Sequence, residues 1–407
     1  TFMIFKLTFL NLFRHRARFA LSLLTLTGAI ASTIVFRGYS HNVLDKIRLY
    51  GAENQYGHIQ IGSRKLWSSD NEKLKDQLYV LSPELEQMIK SLDGLKSAAP
   101  RLSLQGLLSS GDNQLGVNAV GYDPTQETTF DSSLNLIEGQ SLKDGSENGI
   151  LLGSGLRDKL KVKIGDTLSL VTQTIDGIVN AGDLEVHGVF QTGVAEVDNQ
   201  IAYAPIRVVH TLLDTEKVEV WTLRLRDIEQ TNSTAGVLRD AIAKAQPELM
   251  VKTWRDLSDL YNRTEEFFGI QNLIVQTILS VLTILAILNT VGMTVHERTG
   301  EIGTLRSLGH TRTEIVFQFV LEGIYLGIFG AIFGSLAGAL SISAINAAGI
   351  TTALPGASTD VVIEADFVVS AFVMAISLGM VSVFLGTLVP AWRASRLSIV
   401  DSLRRNI

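Results

Sequence analysis

The chain contains no cysteine, which excludes disulfides, thiolate catalysis and cysteine-based metal sites anywhere along it. Charge is also scarce: 19% of the 407 residues are charged against 46% hydrophobic, too apolar a balance for an ordinary soluble protein of this length. Catalytic motifs are missing as well. There is no GxxxxGK[ST] phosphate loop, so ATP is not bound and hydrolysed by that route, and no GxSxG nucleophile elbow. The seven histidines, at 15, 41, 58, 187, 210, 296 and 310, form no HExxH or comparable ligand spacing. Gly153-Ser154-Gly155 begins like a dinucleotide loop, but Asp158 stands where the third glycine belongs, and a strand-to-helix turn is the better reading. Nothing in these residues points to an enzyme, a metal site or a cofactor of its own.

The apolar residues collect in four long runs. Phe19 to Phe36 is bracketed by Arg18 and Arg37; the others are Phe267 to Val295, Ile315 to Ile345 with Glu322 as its one charge, and Phe367 to Trp392. Each approaches or exceeds the roughly 20 residues that cross a hydrocarbon core of about 30 Å. Basic residues mark the sides. Lys6, Arg14, Arg16 and Arg18 precede the first run, Arg298, Arg306 and Arg312 follow the second, and Arg393, Arg396, Arg404 and Arg405 end the chain. The segment 347–366 has no Lys or Arg but holds Asp360, Glu364 and Asp366. The positive-inside rule therefore places both termini and the 296–314 loop in the cytoplasm. A cleaved signal peptide is the alternative for the first run, with Ala29-Ile30-Ala31 as its cleavage pattern, but 18 residues exceed the usual core of about 7–15. The basic, Phe-rich and Leu-rich residues 1–18 read as an interfacial helix on the cytoplasmic leaflet.

The expected fold is thus a membrane protein of four transmembrane α-helices, at 19–37, within 265–295, at 315–346 and at 367–390, with a large α/β extracytoplasmic domain at 38–264 between the first two. That domain carries 23 Lys and Arg against 31 Asp and Glu, a net of −8, and lacks the basic face that nucleic acid requires. Alternation at His58 to Ile61 and Leu115 to Val120 predicts strands, and Ser82-Pro83-Glu84 opens a helix to about Leu92. A second helix is predicted over Thr234 to Ala245. Two subdomains are expected, 45–125 with 206–255, and 126–205 inserted between them. Helical character from Trp254 through Val295 predicts a rod of about 60 Å, standing out of the bilayer as a stalk.

Two elements carry the functional reading. The loop HERTGEIGTLRSLGHTRTE, His296 to Glu314, places Ile302, Leu305 and Leu308 at three-residue spacing among Arg298, Glu301 and Arg306: a short amphipathic helix ended by Gly309. It suits either the membrane surface or a cytoplasmic partner. The third run carries Gly323, Gly327, Gly330, Gly334 and Gly338, a flat ridge for close helix packing, either within one chain or between two. A carboxylate at the depth of Glu322 is expected to be either functional, as in proton transport, or a hydrogen-bonding group between helices.

The stretch ER..EIGTLRSLG, the glycine-ridged third run with Glu322 and the ending LVPAWRASRLSIVDSLR from Leu388 resemble the FtsX/MacB superfamily of ABC transporter permeases. VGYDP at Val120, LLGSGLRDKLKVKIGD at Leu151 and GVFQTGVAEVDNQIAYAP at Gly188 are similar to its lipoprotein-releasing LolC/LolE members. The resemblance implies a bacterial inner-membrane permease paired with a second copy or a paralogue. A separate cytoplasmic ATPase subunit would bind the ATP and magnesium and seat Glu297, Arg298, Glu301, Ile302, Leu305, Arg306 and Gly309. It also implies an acyl-chain cleft between the first two spans, lined by Ile34, Val35, Phe36, Phe267, Phe268, Ile270 and Ile274. The cargo would be a lipoprotein or another periplasmic substrate, passed to a periplasmic carrier or a membrane-fusion protein. The alternatives within the superfamily are MacB-like export and FtsX-like regulation of cell-wall hydrolases. One departure stands out: no proline-containing carrier hook occurs between Leu170 and His187.

Overall fold

The computed structural model describes residues 16–68, 73–111, 113–127, 130, 134–142, 147–352, 358 and 360–396. Most of the interfacial helix expected at 1–18, and the tail from 397, lie outside the described residues. The chain forms two units, one of residues 1–45, 264–350 and 362–407, the other of 46–263 and 351–361. Helix α1 is Arg16–Leu49, followed by a π-helical turn at Tyr50–Gln55. The span expected at 19–37 is therefore the middle of a longer helix, and the domain unit begins near Lys46 rather than at 38. Nothing breaks the helix after Arg37 because the next dozen residues hold no proline and only Gly38 as a weak helix former.

The domain unit holds strands β1 (Ile59–Ser63), β2 (Leu95–Ser110), β3 (Asn113–Tyr122), β4 (Leu136–Gly139), β5 (Gly149–Gly153), β6 (Thr167–Gln173), β7 (Val179–Phe190), β8 (Ile201–Pro205), β9 (Val220–Leu225) and β10 (Leu249–Thr253). Its main helices are α2 (Pro83–Lys90), α3 (Ser154–Leu160), α4 (Ile206–Leu213) and α5 (Thr231–Ala245). Helix α2 starts as read from sequence: the Ser82 hydroxyl accepts from the Leu85 amide and Pro83 sits where no donor is needed. Gly153-Ser154-Gly155 is the predicted strand-to-helix turn, from β5 into α3.

The sheet is continuous through the long strand β2. Leu95 to Arg101 pairs with β9, and Leu102 to Ser110 pairs with β3, with Gly106 to Ser109 also paired to β6. One half is β10-β1-β9-β2; in the other, strands β2, β3, β8, β5, β7 and β6 close a circuit back to β2, with β4 beside β7. This corrects the expected subdomains. The division falls inside β2, near Arg101, and β3 and α4 belong with the second half, where Val209 of α4 packs on Gly121 of β3. Ile59, Ile89 and Leu223 share one buried cluster with Leu152, Leu168 and Val186, so neither half closes a core alone. The buried side of β2 switches at this point, from odd positions through Arg101 to even positions from Leu102, within one continuous strand.

Beyond β10, a Thr253–Asp256 capping box starts a single turn at Trp254–Leu257, and Ser258 leaves helical geometry at φ −90°, ψ 81°. Helix α6 is Asp259–Glu297, about 58 Å at ~1.5 Å per residue, so the expected rod exists but starts after this break rather than at Trp254. Next come α7 (Thr299–Ser307), α8 (Arg312–Ala348) and α9 (Val369–Ser395). Helices α1, α6, α8 and α9 are the four candidate spans by length and apolarity.

Glycines bring these helices together. A Cβ on Gly330, Gly334 or Gly338 of α8 would meet Leu26, Ile30 or Ile34 of α1, and one on Gly323 or Gly327 would meet Thr387 or Met380 of α9. The ridge is therefore used within the chain. Gly379 of α9 takes Ile30 and Leu26 from the other side, and Gly386 takes Ile287 of α6. At the end of the bundle away from α7, Asn346 exchanges hydrogen bonds with the Ala365 backbone at 2.9 and 3.0 Å, and Asp366 accepts from Asn42 at 3.0 Å and lies 3.0 Å from His41.

At Gly334 a new Cβ would stand 2.7 Å from the Ile30 Cβ, whereas at Gly292 of α6 nothing lies within 4 Å. Gly334→Ala should destabilise the detergent-solubilised chain by about 1–3 kcal/mol through overpacking. Gly292→Ala should be neutral or stabilising by roughly 0.5–1 kcal/mol. Thermal unfolding of the two variants side by side checks the contrast.

Candidate functional site

The loop element is α7, capped past its end by Gly309 at φ 99°, where left-handed backbone favours glycine. Its apolar residues turn inward: Ile302 is buried with Val295, Ile315, Phe319, Ala391 and Ala394, and Leu305 packs against the same cluster. Three ionic or charge-assisted contacts then tie this corner to the other spans. The Arg18 guanidinium of α1 donates to Glu297, one bond being 2.8 Å. Arg298 donates to Glu322 of α8 at 2.8 Å and to Glu301 at 3.1 Å, its guanidinium 5.6 Å from the Phe319 ring. Arg306 donates to the Ser395 carbonyl at 2.7 Å, at the end of α9.

The seven residues expected on a docking surface are thus divided. Arg298 and Ile302 are buried, and Leu305 and Arg306 are half-buried and engaged with neighbouring helices. Glu297, Glu301 and Gly309 remain at the surface. The largest outward apolar group is Leu308, 75% exposed, beside Ser307 and Thr304. The three-residue spacing that grouped Leu308 with Ile302 and Leu305 misplaced it, because α7 ends at Ser307 and the chain turns away.

Two family models overlay these features. The FtsX-like permease C-terminal model matches residues 273–399, and the MacB-like periplasmic core domain model matches 19–241, more than half of the chain. The chain belongs to the FtsX/MacB superfamily. Among the relatives of this FtsX/MacB permease, the lipoprotein-releasing system transmembrane protein LolC of Neisseria meningitidis serogroup B is 27% identical over 240 residues, 57% of each chain. LolC of Xylella fastidiosa (strain Temecula1) is 26% identical over 333 residues, 75% of this chain and 77% of that protein. The macrolide export ATP-binding/permease protein MacB of a Shewanella species is 22% identical over 415 residues, covering 98% of this chain and 60% of that protein. The match thus spans little more than half the length of the first of these relatives. The periplasmic region of MacB from Actinobacillus actinomycetemcomitans aligns with 53% of the chain at 14% identity and a TM-score of 0.38, too low to add to the sequence match.

The residues expected on an acyl-chain cleft are divided in this permease. Ile34 faces Gly338 and is buried, so it lines no cleft, and Phe268 is buried against Tyr39, ring centroids 6.1 Å apart. Phe267, Ile270 and Ile274 point outward from α6, each more than half exposed. Val35 and Phe36 do line a groove of about 600 Å³, with Gly28, Ser32 and Tyr39 of α1, Val275 of α6, and Ser341 and Ile345 of α8. Helical phase decides this: positions 28, 32, 35 and 39 share one face of α1, while 26, 30 and 34 share another. Sequence reading also missed a small pocket of about 20 Å³ where Thr33, Gln276, Ser280, Thr283 and Ser382 stand among apolar residues such as Ile30, Leu279 and Leu378. Thr33, Thr283 and Ser382 donate to carbonyls four residues back, a bond any apolar helix can offer, so hydropathy does not flag them.

Removing one partner of the Arg298–Glu322 pair leaves a charge inside the bundle. Arg298→Ala should cost about 3–5 kcal/mol, whereas Arg298→Leu with Glu322→Leu should cost much less. Unfolding in detergent of both variants and of each single leucine replacement gives the coupling directly; a double-variant loss equal to the sum of the two single losses would show that the pair does not act as a unit.

Proposed function

We propose that this chain is the membrane subunit of an ABC transporter that relays ATP-driven motion from a cytoplasmic ATPase to a periplasmic domain, working on lipoproteins. One observation carries the reading: the corner formed by Glu297, Arg298 and α7 is tied to α1, α8 and α9 by charge, while Leu308, Ser307 and Thr304 stay free of internal packing. A partner that seats this corner moves every span at once. The basic residues flanking the corner support a cytoplasmic position, and the acidic 347–366 segment the opposite side. Helix α6, nearly twice the thickness of a hydrocarbon core of about 30 Å, supports a rod that reaches beyond the bilayer. The groove beside Val35, Phe36 and Tyr39 is apolar and wide enough for acyl chains, and the LolC likeness supports lipoproteins as the cargo that carries them.

A second reading is MacB-like export with a membrane-fusion protein, favoured by the MacB match that covers 98% of the chain. Depletion separates the two. The first expects lipoproteins to accumulate in the inner membrane; the second leaves their distribution unchanged and abolishes export of a soluble periplasmic substrate.

Because Leu305 and Arg306 serve the bundle, the docking test belongs at Leu308. Leu308→Asp should lower recovery of the ATPase in co-purification at least tenfold while thermal stability stays within about 0.5 kcal/mol, as for a surface change. Undiminished recovery would move the docking surface elsewhere.

A further inference from the structure

We propose that Arg101, Glu127 and Arg224 form a joint that fixes the end of α1 to the sheet of the domain, so that the helix end and both sheet halves move as one piece. These three are positioning residues for the relay described above, and the inference rests on that reading. All three are essentially sealed from solvent, at 4%, 0% and 0% exposure. Arg101 donates to both oxygens of Glu127, at 2.9 and 2.6 Å, and Arg224 donates to one of them at 2.6 Å. Phe130 packs against both guanidiniums, 4.3 and 5.2 Å from its ring centre.

The remaining donors reach α1. Arg224 gives two hydrogen bonds to the Glu53 carbonyl, at 3.0 and 2.9 Å, and Arg101 gives one to the Gln55 carbonyl at 3.1 Å. Those carbonyls belong to the π-helical turn that ends α1, where helical amides no longer supply partners. Two guanidiniums and one carboxylate leave a buried net charge of +1. The helix terminus carries roughly half an elementary negative charge, and is the natural counterpart to that surplus. Burial works against ionisation of Glu127, yet the flanking guanidiniums hold its carboxyl below the ordinary range. A buried ion triad adds little stability by itself, so a specific geometric role is the better account of it.

Its position fits that role. Arg101 is the last β2 residue paired with β9 and Leu102 the first paired with β3, so the triad sits where the two sheet halves meet. The helix end has further anchors. The Leu225 amide donates to His58 Nδ1 at 3.0 Å, which leaves Nε2 as the N–H that faces the Glu53 carboxylate at 3.3 Å. Tyr50 lies beside Thr192, whose amide and hydroxyl donate to buried Asp198 at 2.8 and 2.7 Å. Asp198 also accepts from Ser358, in the connection between α8 and α9. Helix α6, by contrast, leaves the domain through the non-helical Ser258. Of the two rods, α1 is the one that is clamped.

The test uses the full chain with its ATPase in lipid nanodiscs. Arg101→Met with Glu127→Leu and Arg224→Met replaces the triad by apolar groups of similar size, a change that leaves such sites folded. Hydrogen exchange at Tyr50 to Tyr56 should accelerate on the order of 100-fold relative to wild type, with β5 and β8 still protected. ATP-dependent changes in exchange across β5 and β8 should disappear. Arg224→Lys, which keeps the charge but loses the fork, should fall between the two and serves as the readout if the triple variant unfolds. Wild-type exchange at 50–56 in the folded variant overturns the joint. A freed helix end with the ATP response intact overturns its part in the relay. No ATP response in wild type sinks the relay reading itself, while exchange at 50–56 still decides the clamp.

Discussion

The architecture depends on the close approach of α8 to α1. In lipid no hydrophobic effect draws helices together, so association rests on how nearly their backbones can approach. Gly330, Gly334 and Gly338 make that approach possible, each seating one of Leu26, Ile30 and Ile34. Gly379 of α9 closes on Ile30 from the other side, and α1 is thereby enclosed between two helices. With the ridge used inside the chain, the outward face of α8, Ile328, Ile332, Leu336 and Leu340, is left for lipid or for another chain.

Packing of that kind sets distance but not longitudinal position, since a smooth ridge can slide by a turn. Polar contacts at the two ends supply the missing constraint. At one end Arg18–Glu297, Arg298–Glu322 and Arg306 on the Ser395 carbonyl hold four helices in register. At the other, Asn346 on Ala365 and Asp366 on Asn42 do the same with shorter side chains. An intramembrane carboxylate such as Glu322 is costly alone, and its pairing with Arg298 explains why one is tolerated in the third span.

Much of this was legible in the sequence because lipid imposes a simple code. The four spans follow from uncharged length, the glycine ridge from its spacing, and the α7 helix from three apolar residues and a terminal glycine. What sequence did not show is which partner each face meets. The family resemblance placed Ile34 and Phe268 on a cleft, but both point into neighbouring helices, and Arg306 reads as a surface cation until the end of α9 is beside it. In the domain, one continuous strand, β2, serves both sheet halves, and its buried side switches from odd to even positions at Arg101 and Leu102. Glu127, Arg101 and Arg224 are far apart in sequence, and nothing about any one of them announces a fully buried charge.

Helix α1 shows how these constraints combine. Residues 26, 30 and 34 fall on one stripe and meet glycines; 28, 32, 35 and 39 fall on the next and line the groove; 53 and 55 end the helix in the grip of two arginines. Phase along the helix, more than composition, decides which of its residues meet a glycine, the groove or an arginine.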